Sequence, residues 1–157
     1  MSIERVRTEF ETLGIADKII EFEVSSATVE LAAAALGCEG KRIAKTLSFI
    51  VNETPVLIVA AGDAKVDNAK YKALFGTKAK MLTPEQAVEL IGHAVGGVCP
   101  FAVNEGVKVF LDESLKRFET VFPAAGSSNS AVEMSIPDLE LYSHFDEWID
   151  VCKGWND

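Results

Sequence analysis

Two runs of β-forming residues, Lys45-Thr-Leu-Ser-Phe-Ile-Val51 and Pro55-Val-Leu-Ile-Val-Ala-Ala61, flank the short polar stretch Asn52-Glu53-Thr54. Strand, tight turn, strand is the signature of an antiparallel hairpin. A pair this long and this apolar must be covered on its faces, so the remaining elements have to be arranged around it.

Helices and further strands are readable on both sides. Ser2 to Leu13 carries Ile3, Val6, Phe10 and Leu13 at helical spacing, with Gly14 at the closing position. "KIIEFEV" (Lys18 to Val24) alternates and reads as a strand. "SSATVELAAAALG" reads as a helix opened by its serines and closed by Gly37. After the hairpin, "DNAKYKALFG" reads as a helix starting at Asp67 and closed by Gly76, and "KAKML" as a short strand. "TPEQAVELIG" has Thr83 at the cap, Pro84 in the first turn and Gly92 past the end. "VKVFLDES", "ETVFPAAG" and "SAVEMSI" read as strands, "PDLELYSH" as a helix begun by Pro137, and "FDEWIDVC" as a last, weaker strand. This order predicts a single α+β domain over residues 1–157 with a mixed sheet flanked by helices, not a regular α/β alternation.

Composition removes several functions. The formal charge is −9, which disfavours a broad phosphate-tracking interface with nucleic acid. Two local basic clusters stand against that background: Lys65, Lys70, Lys72, Lys78 and Lys80, and Lys41, Arg42 and Lys45. No apolar run approaches a membrane span, and the acidic N-terminus does not read as a signal peptide. Cys38, Cys99 and Cys152 are scattered and form no CxxC pair, the pattern of reduced thiols in a cytoplasm. His93 and His144 have no partner at ligand spacing, so no metal site is expected. Neither phosphate-binding glycine motif occurs, so no nucleotide cofactor is expected.

Two features could carry chemistry. Lys45 stands in the apolar stretch "RIAKTLSF", where a cation is unwelcome unless it is paired or faces a cavity. The heptapeptide "VGGVCPF" (Val95 to Phe101) packs two glycines, a cysteine and a proline into one loop. Glycines admit close backbone approach, and successive N–H groups in such a turn can hold a carbonyl oxygen or a phosphate. Cys99 could be a nucleophile if a base such as His93 lowered its pKa; the competing reading is a small apolar filler under a tight loop.

From about Ile19 to Leu141, the ordered set "RIAKTLSF", "LIVAAGDAKVDNAKYKALFG", "GHAVGGVCPF", "VKVFLDESL" and "AAGSSNSAVEMSIPDL" resembles the YbaK/prolyl-tRNA synthetase-associated domain family. The resemblance implies a strongly curved mixed sheet and hydrolysis of the ester between a wrong amino acid and tRNA, most often tRNA(Pro). It implies no cofactor and a cytoplasmic setting. The partner would be the 3′ CCA end of a mischarged tRNA, with prolyl-tRNA synthetase as a candidate second partner. It places Lys45 and the Gly96, Gly97 and Pro100 loop in the catalytic role, and Thr46, Val98, Cys99, Phe101, Ala124, Gly126 and Ala131 around the substrate. The Cys-tRNA(Pro) deacylase branch typically carries a serine and an aspartate where this chain has Ala124 and Ala131, so cysteine specificity does not carry over. A non-catalytic domain that binds tRNA ends, aminoacyl groups or a synthetase is the alternative reading.

Overall fold

The hairpin forms as its sequence requires. A computed structural model describes residues 2–155, and in it Ile43–Val51 (β2) and Thr54–Ala61 (β3) pair antiparallel from Ala44 opposite Ala61 to Val51 opposite Thr54. Asn52 and Glu53 close the turn with φ of 47° and 69°. Two left-handed residues make the tight turn whose twist matches the flanking strands. Asparagine tolerates this well; glutamate does so at a cost of roughly 1–2 kcal/mol.

In chain order the other elements are Ser2–Leu13 (α1), Ile19–Glu21 (β1), Val29–Leu36 (α2), then the hairpin, Lys65–Val66 (β4) and Asn68–Phe75 (α3). Pro84–Gln86 (α4) follows, continued by a π turn over Ala87–Ile91. Lys108–Asp112 (β5), Thr120–Pro123 (β6), Ser130–Val132 (β7) and Met134–Ser135 (β8) come next. Ile136–Ser143 (α5), Glu147–Ile149 (β9) and Cys152–Lys153 (β10) complete the set. Six strands form one curled, mixed sheet in the order β8-β6-β2-β3-β5-β9. The pairs β2–β6, β3–β5 and β5–β9 are parallel, while β2–β3 and β6–β8 are antiparallel. Two-stranded ladders β1–β7 and β4–β10 flank it.

Packing follows the apolar faces. Val6 and Phe10 of α1 are fully buried, and the Phe10 ring meets Phe101 edge-to-face at 5.2 Å. A fully buried side chain of this kind stabilises by about 1.5–3 kcal/mol. It fixes α1 against the chain just beyond the glycine loop. Tyr71 of α3 packs between Phe49 of β2 and Phe75. On α2, Ala32 joins Ile43 and Phe122 over the β2–β6 junction.

Several elements differ from the sequence reading for tertiary reasons. β1 stops at Glu21 because β7 offers only three partners, and Val24 beyond it is exposed. The cap of α2 is Thr28, whose hydroxyl accepts from Leu31 N; Ser25 and Ser26 turn instead to the carbonyl of Ser128. "KAKML" supplies only the bridge of Met81 to Phe49, with Ile50 N donating to Lys80 O and Leu82 N to Ser48 O. "SAVEMSI" divides at Glu133 into β7 and β8, and "FDEWIDVC" divides into β9 and β10. That second break occurs where Val151 N donates to the buried carboxylate of Asp112.

Candidate functional site

The outer edge of β2 is covered in two pieces. At one end β6 pairs with Ile43 and Ala44. At the other, the Lys80–Leu82 segment bonds Ser48 and Ile50. A cavity of about 530 Å³ opens along this edge. It is walled by β2, the start of α2 (Thr28, Val29, Ala32), Met81 and Leu82, the glycine loop at Val95, Gly96 and Val98, and Phe122, Ala124, Ser130 and Ala131. Among the described residues lining it, Lys45 is the only charged one.

Alternation along β2 sets Lys45 on the face of Leu47 and Phe49, and Thr46 on the opposite face with Ala44 and Ser48. The Lys45 ammonium donates to the carbonyl of Gly62 at 3.5 Å and to that of Ala64. Burial pushes its pKa below the ordinary lysine value; Cys152 and Asp63 pull weakly the other way. The carbonyls that hold it are themselves held. A Cβ on Gly62 would lie 2.0 Å from the Gly40 carbonyl oxygen, so only glycine allows the turn to seat there. Asp63 accepts a two-pronged bond from Arg117, Nη1 to Oδ2 at 3.0 Å and Nη2 to Oδ1 at 2.6 Å. That bond holds the Asp63 carboxyl below the usual carboxylate range. The Arg117 guanidinium is stacked on Phe118 and Trp155. Gly40, Gly62, Asp63 and Arg117 are absent from the sequence reading. The "AAGDAK" turn directly after a buried strand is the one local signal for them.

The glycine loop is a structural part of the wall. Gly96 has φ +94°, and its α-carbon faces the side chains of Ala27 and Ser128; a Cβ there would meet both at 3.3 Å. Gly97 is tighter: a Cβ would lie 2.6 Å from Ser127 N and 2.7 Å from Gly126 C and Ser127 Cα. The loop therefore lies against the backbone of residues 126–128, and its two glycines permit the approach. Gly97 N donates to Ala94 O. Among the described residues the N–H groups of Gly96, Val98 and Cys99 have no acceptor.

The residues singled out from sequence divide into two groups. Lys45, Thr46, Gly96, Val98, Ala124 and Ala131 line the cavity. Ala124 and Ala131 stand directly opposite each other as an isolated antiparallel bridge, two small apolar groups on one wall. Gly97, Cys99, Pro100, Phe101 and Gly126 lie behind it, with Cys99 and Phe101 wholly buried in the core. His93 Nε2 is 2.7 Å from the carbonyl of Phe101, so that nitrogen carries the proton and donates. It is therefore no base for Cys99, whose Sγ lies 3.6 Å from it. Burial pushes the Cys99 thiol up to about 12. These facts favour the filler reading of Cys99 over the nucleophile. With iodoacetamide at pH 8, native protein is expected to label at Cys38 alone, the partly exposed thiol, while Cys99 and Cys152 label only after denaturation. Peptide mass spectrometry gives the answer. Native labelling of Cys99 would mean that the loop opens.

A larger groove of about 680 Å³, between α1 and residues 102–103 and 144, is wide open to solvent and lacks the glycine loop. Among the described residues, no group of three or more His, Cys, Asp or Glu is placed to hold a metal, and no helix is long and apolar enough to cross a membrane.

Comparison with known proteins gives this geometry a family. The uncharacterized protein YwhH of Bacillus subtilis (strain 168) is 52% identical over 99% of both chains. Proline--tRNA ligase of Aquifex aeolicus (strain VF5) is 29% identical over 80% of this chain, which corresponds to 22% of that much longer enzyme. A crystal structure described as a candidate trans-editing enzyme for prolyl tRNA synthetase superposes with a TM-score of 0.86 at 30% identity, covering 98% of each chain. The family model of the aminoacyl-tRNA editing domain matches residues 23–141. That span contains Lys45, the Gly62 turn, the glycine loop and the Ala124–Ala131 bridge, and the chain belongs to the aminoacyl-tRNA editing domain family.

Proposed function

We propose that this protein is an aminoacyl-tRNA deacylase acting in trans, which hydrolyses the ester of a mischarged tRNA, with tRNA(Pro) as the preferred carrier. The observation that carries the reading is the half-enclosed cavity that joins Lys45, Thr46 and the glycine loop within an editing-family chain. The terminal adenosine enters from the rim formed by Met81 and Val95, both more than half exposed. A cytoplasmic location and an association with prolyl-tRNA synthetase go with this reading.

An aminoacyl ester is already activated, so positioning and stabilisation of the oxyanion are the main tasks. The N–H groups of Gly96 and Val98, cavity-lining residues whose amides have no acceptor among the described residues, are suited to the developing negative charge. Lys45 contributes positive charge from the β2 wall. Water, or the substrate's own side chain, adds to the carbonyl carbon; the bond to the ribose oxygen breaks, and that oxygen takes up a proton. No protein nucleophile is needed, in keeping with the buried thiol of Cys99. The facing alanines 124 and 131 suit a small aminoacyl side chain and offer no polar contact to a thiol.

One observation favours the alternative of a non-catalytic binding domain: the Lys45 ammonium is already held by two backbone carbonyls. Deacylation assays with tRNA(Pro) charged with alanine, serine, cysteine and 2-aminobutyrate separate the two. Loss of at least one ester well above the spontaneous rate supports the hydrolase. Uniform inactivity, with binding retained, removes it.

Binding of tRNA should be weakly salt-dependent. Lys70 is paired with Asp150, Arg42 with Glu133 and Lys41 with Glu39, so part of each basic cluster is already neutralised. A log–log slope of about −1 to −2 is expected, as for roughly one to three phosphates on a single strand. A slope several times steeper would reveal a basic face beyond the CCA site.

A further inference from the structure

The two coverings of the β2 edge do not meet. The closing pair Val51–Thr54 and the register above it send the odd residues of β2 to β3 for their backbone hydrogen bonds. The even residues turn their N–H and C=O to the outer edge. Ser48 and Ile50 confirm the phase, bonding Leu82 N and Lys80 O there. Ala44 is taken by β6. Thr46 lies between, and among the described residues its outward N–H and C=O have no partner. Its hydroxyl Oγ1 is buried and also has no partner. Three polar groups of one residue are thus unsatisfied beside the cavity that Thr46 lines. Such groups are normally paired with protein or ordered water, so three of them beside a cavity and without a protein partner among the described residues are open to a ligand.

Resting on the deacylase reading above, we infer that the aminoacyl group of the substrate docks at Thr46 as a one-residue strand, its α-amino group donating to Thr46 C=O and Oγ1 and its ester carbonyl accepting from Thr46 N–H. An aminoacyl ester carries one donor group and one carbonyl in the same relation as a strand residue, and the gap is a single residue wide. The second lone pair of the carbonyl stays available to the glycine loop. An amino group needs acceptors rather than an acid here, and no acid is found among the described residues lining the cavity.

The test uses a non-hydrolysable probe, 3′-deoxy-3′-(L-alanylamino)adenosine, titrated into ¹⁵N,¹³C-labelled protein and followed by NMR. Its small side chain fits a pocket meant for alanine or anything larger. The expected result is a saturable shift of the Thr46 amide and carbonyl signals, with affinity weakened about tenfold or more for the N-acetylated probe, as for a lost charge-assisted bond. Thr46→Val, which keeps shape and backbone but removes an unpartnered hydroxyl, should weaken the probe several-fold and leave the melting temperature unchanged or higher. Thr46→Ser should restore affinity. The inference fails if the probe does not bind, if it binds without moving Thr46, if N-acetylation is harmless, or if Thr46→Val lowers stability and not affinity. Deacylation in the charged-tRNA panel with Thr46 unmoved would sink the docking mode alone. A shifted Thr46 without any deacylation would uphold the docking mode and sink the hydrolase.

Discussion

Lys45→Ala is expected to lower single-turnover deacylation by about a hundredfold or more, the usual loss when one preorganised electrostatic contact is removed from a site. Lys45 is the only charge on the cavity wall among the described residues, and it is partly desolvated, which strengthens its field. The mutation also strips the Gly62 and Ala64 carbonyls of their donor. Leaving buried acceptors unpaired costs about 1–3 kcal/mol, so a lower melting temperature accompanies the loss. The rate must therefore be expressed per folded molecule. Lys45→Gln separates the two effects, since its amide can still donate toward the turn but carries no charge. Near-normal stability with a rate still depressed assigns the loss to charge. A rate within a few-fold of the parent in both variants would reduce Lys45 to a strut for the turn.

Gly97→Ala is the second large effect, and it is expected to damage stability and activity together. The added carbon would fall 2.6–2.7 Å from three backbone atoms of Gly126 and Ser127, none of which can rotate away. The two loops must separate, with a cost of the order of 1–3 kcal/mol for such overpacking. Their separation shifts Gly96 and Val98 on the cavity wall. Gly96→Ala is milder in space, with contacts at 3.3 Å, but is strained by φ +94°. A melting curve beside a deacylation rate orders them: Gly97→Ala below Gly96→Ala in both. Parent-like behaviour of Gly97→Ala would show that the loops do not touch in solution.

Local signals in the sequence were read correctly where the cause was local. The hairpin, the Asp67 cap with Gly76, and the Thr83 cap with Pro84 follow from residues within a few positions of one another. Lys45 and the glycine pair stand out because a cation in an apolar strand, and two glycines, a cysteine and a proline within seven residues, are unusual on their face. The vacancy at Thr46 had no such mark. It arises because β6 and the Lys80–Leu82 segment, both distant in sequence, reach the same edge and stop short of each other. The need for glycine at Gly62 is equally non-local, set by Gly40. Hydrophobic period reveals which face a residue takes, but not which strand edge another segment will cover.

The hairpin that displays Lys45 and Thr46 is a contiguous stretch with a two-residue reversal, whereas the chamber in front of it is assembled from α2, the glycine loop and Phe122, Ala124, Ser130 and Ala131. Residues joined by a tight turn meet at small entropic expense, while segments so far apart meet only when the whole chain condenses. The strand pair is therefore cheaper to form than its enclosure. A partly folded chain can present the lysine and the threonine to water, but it lacks the enclosure that walls them in the folded domain.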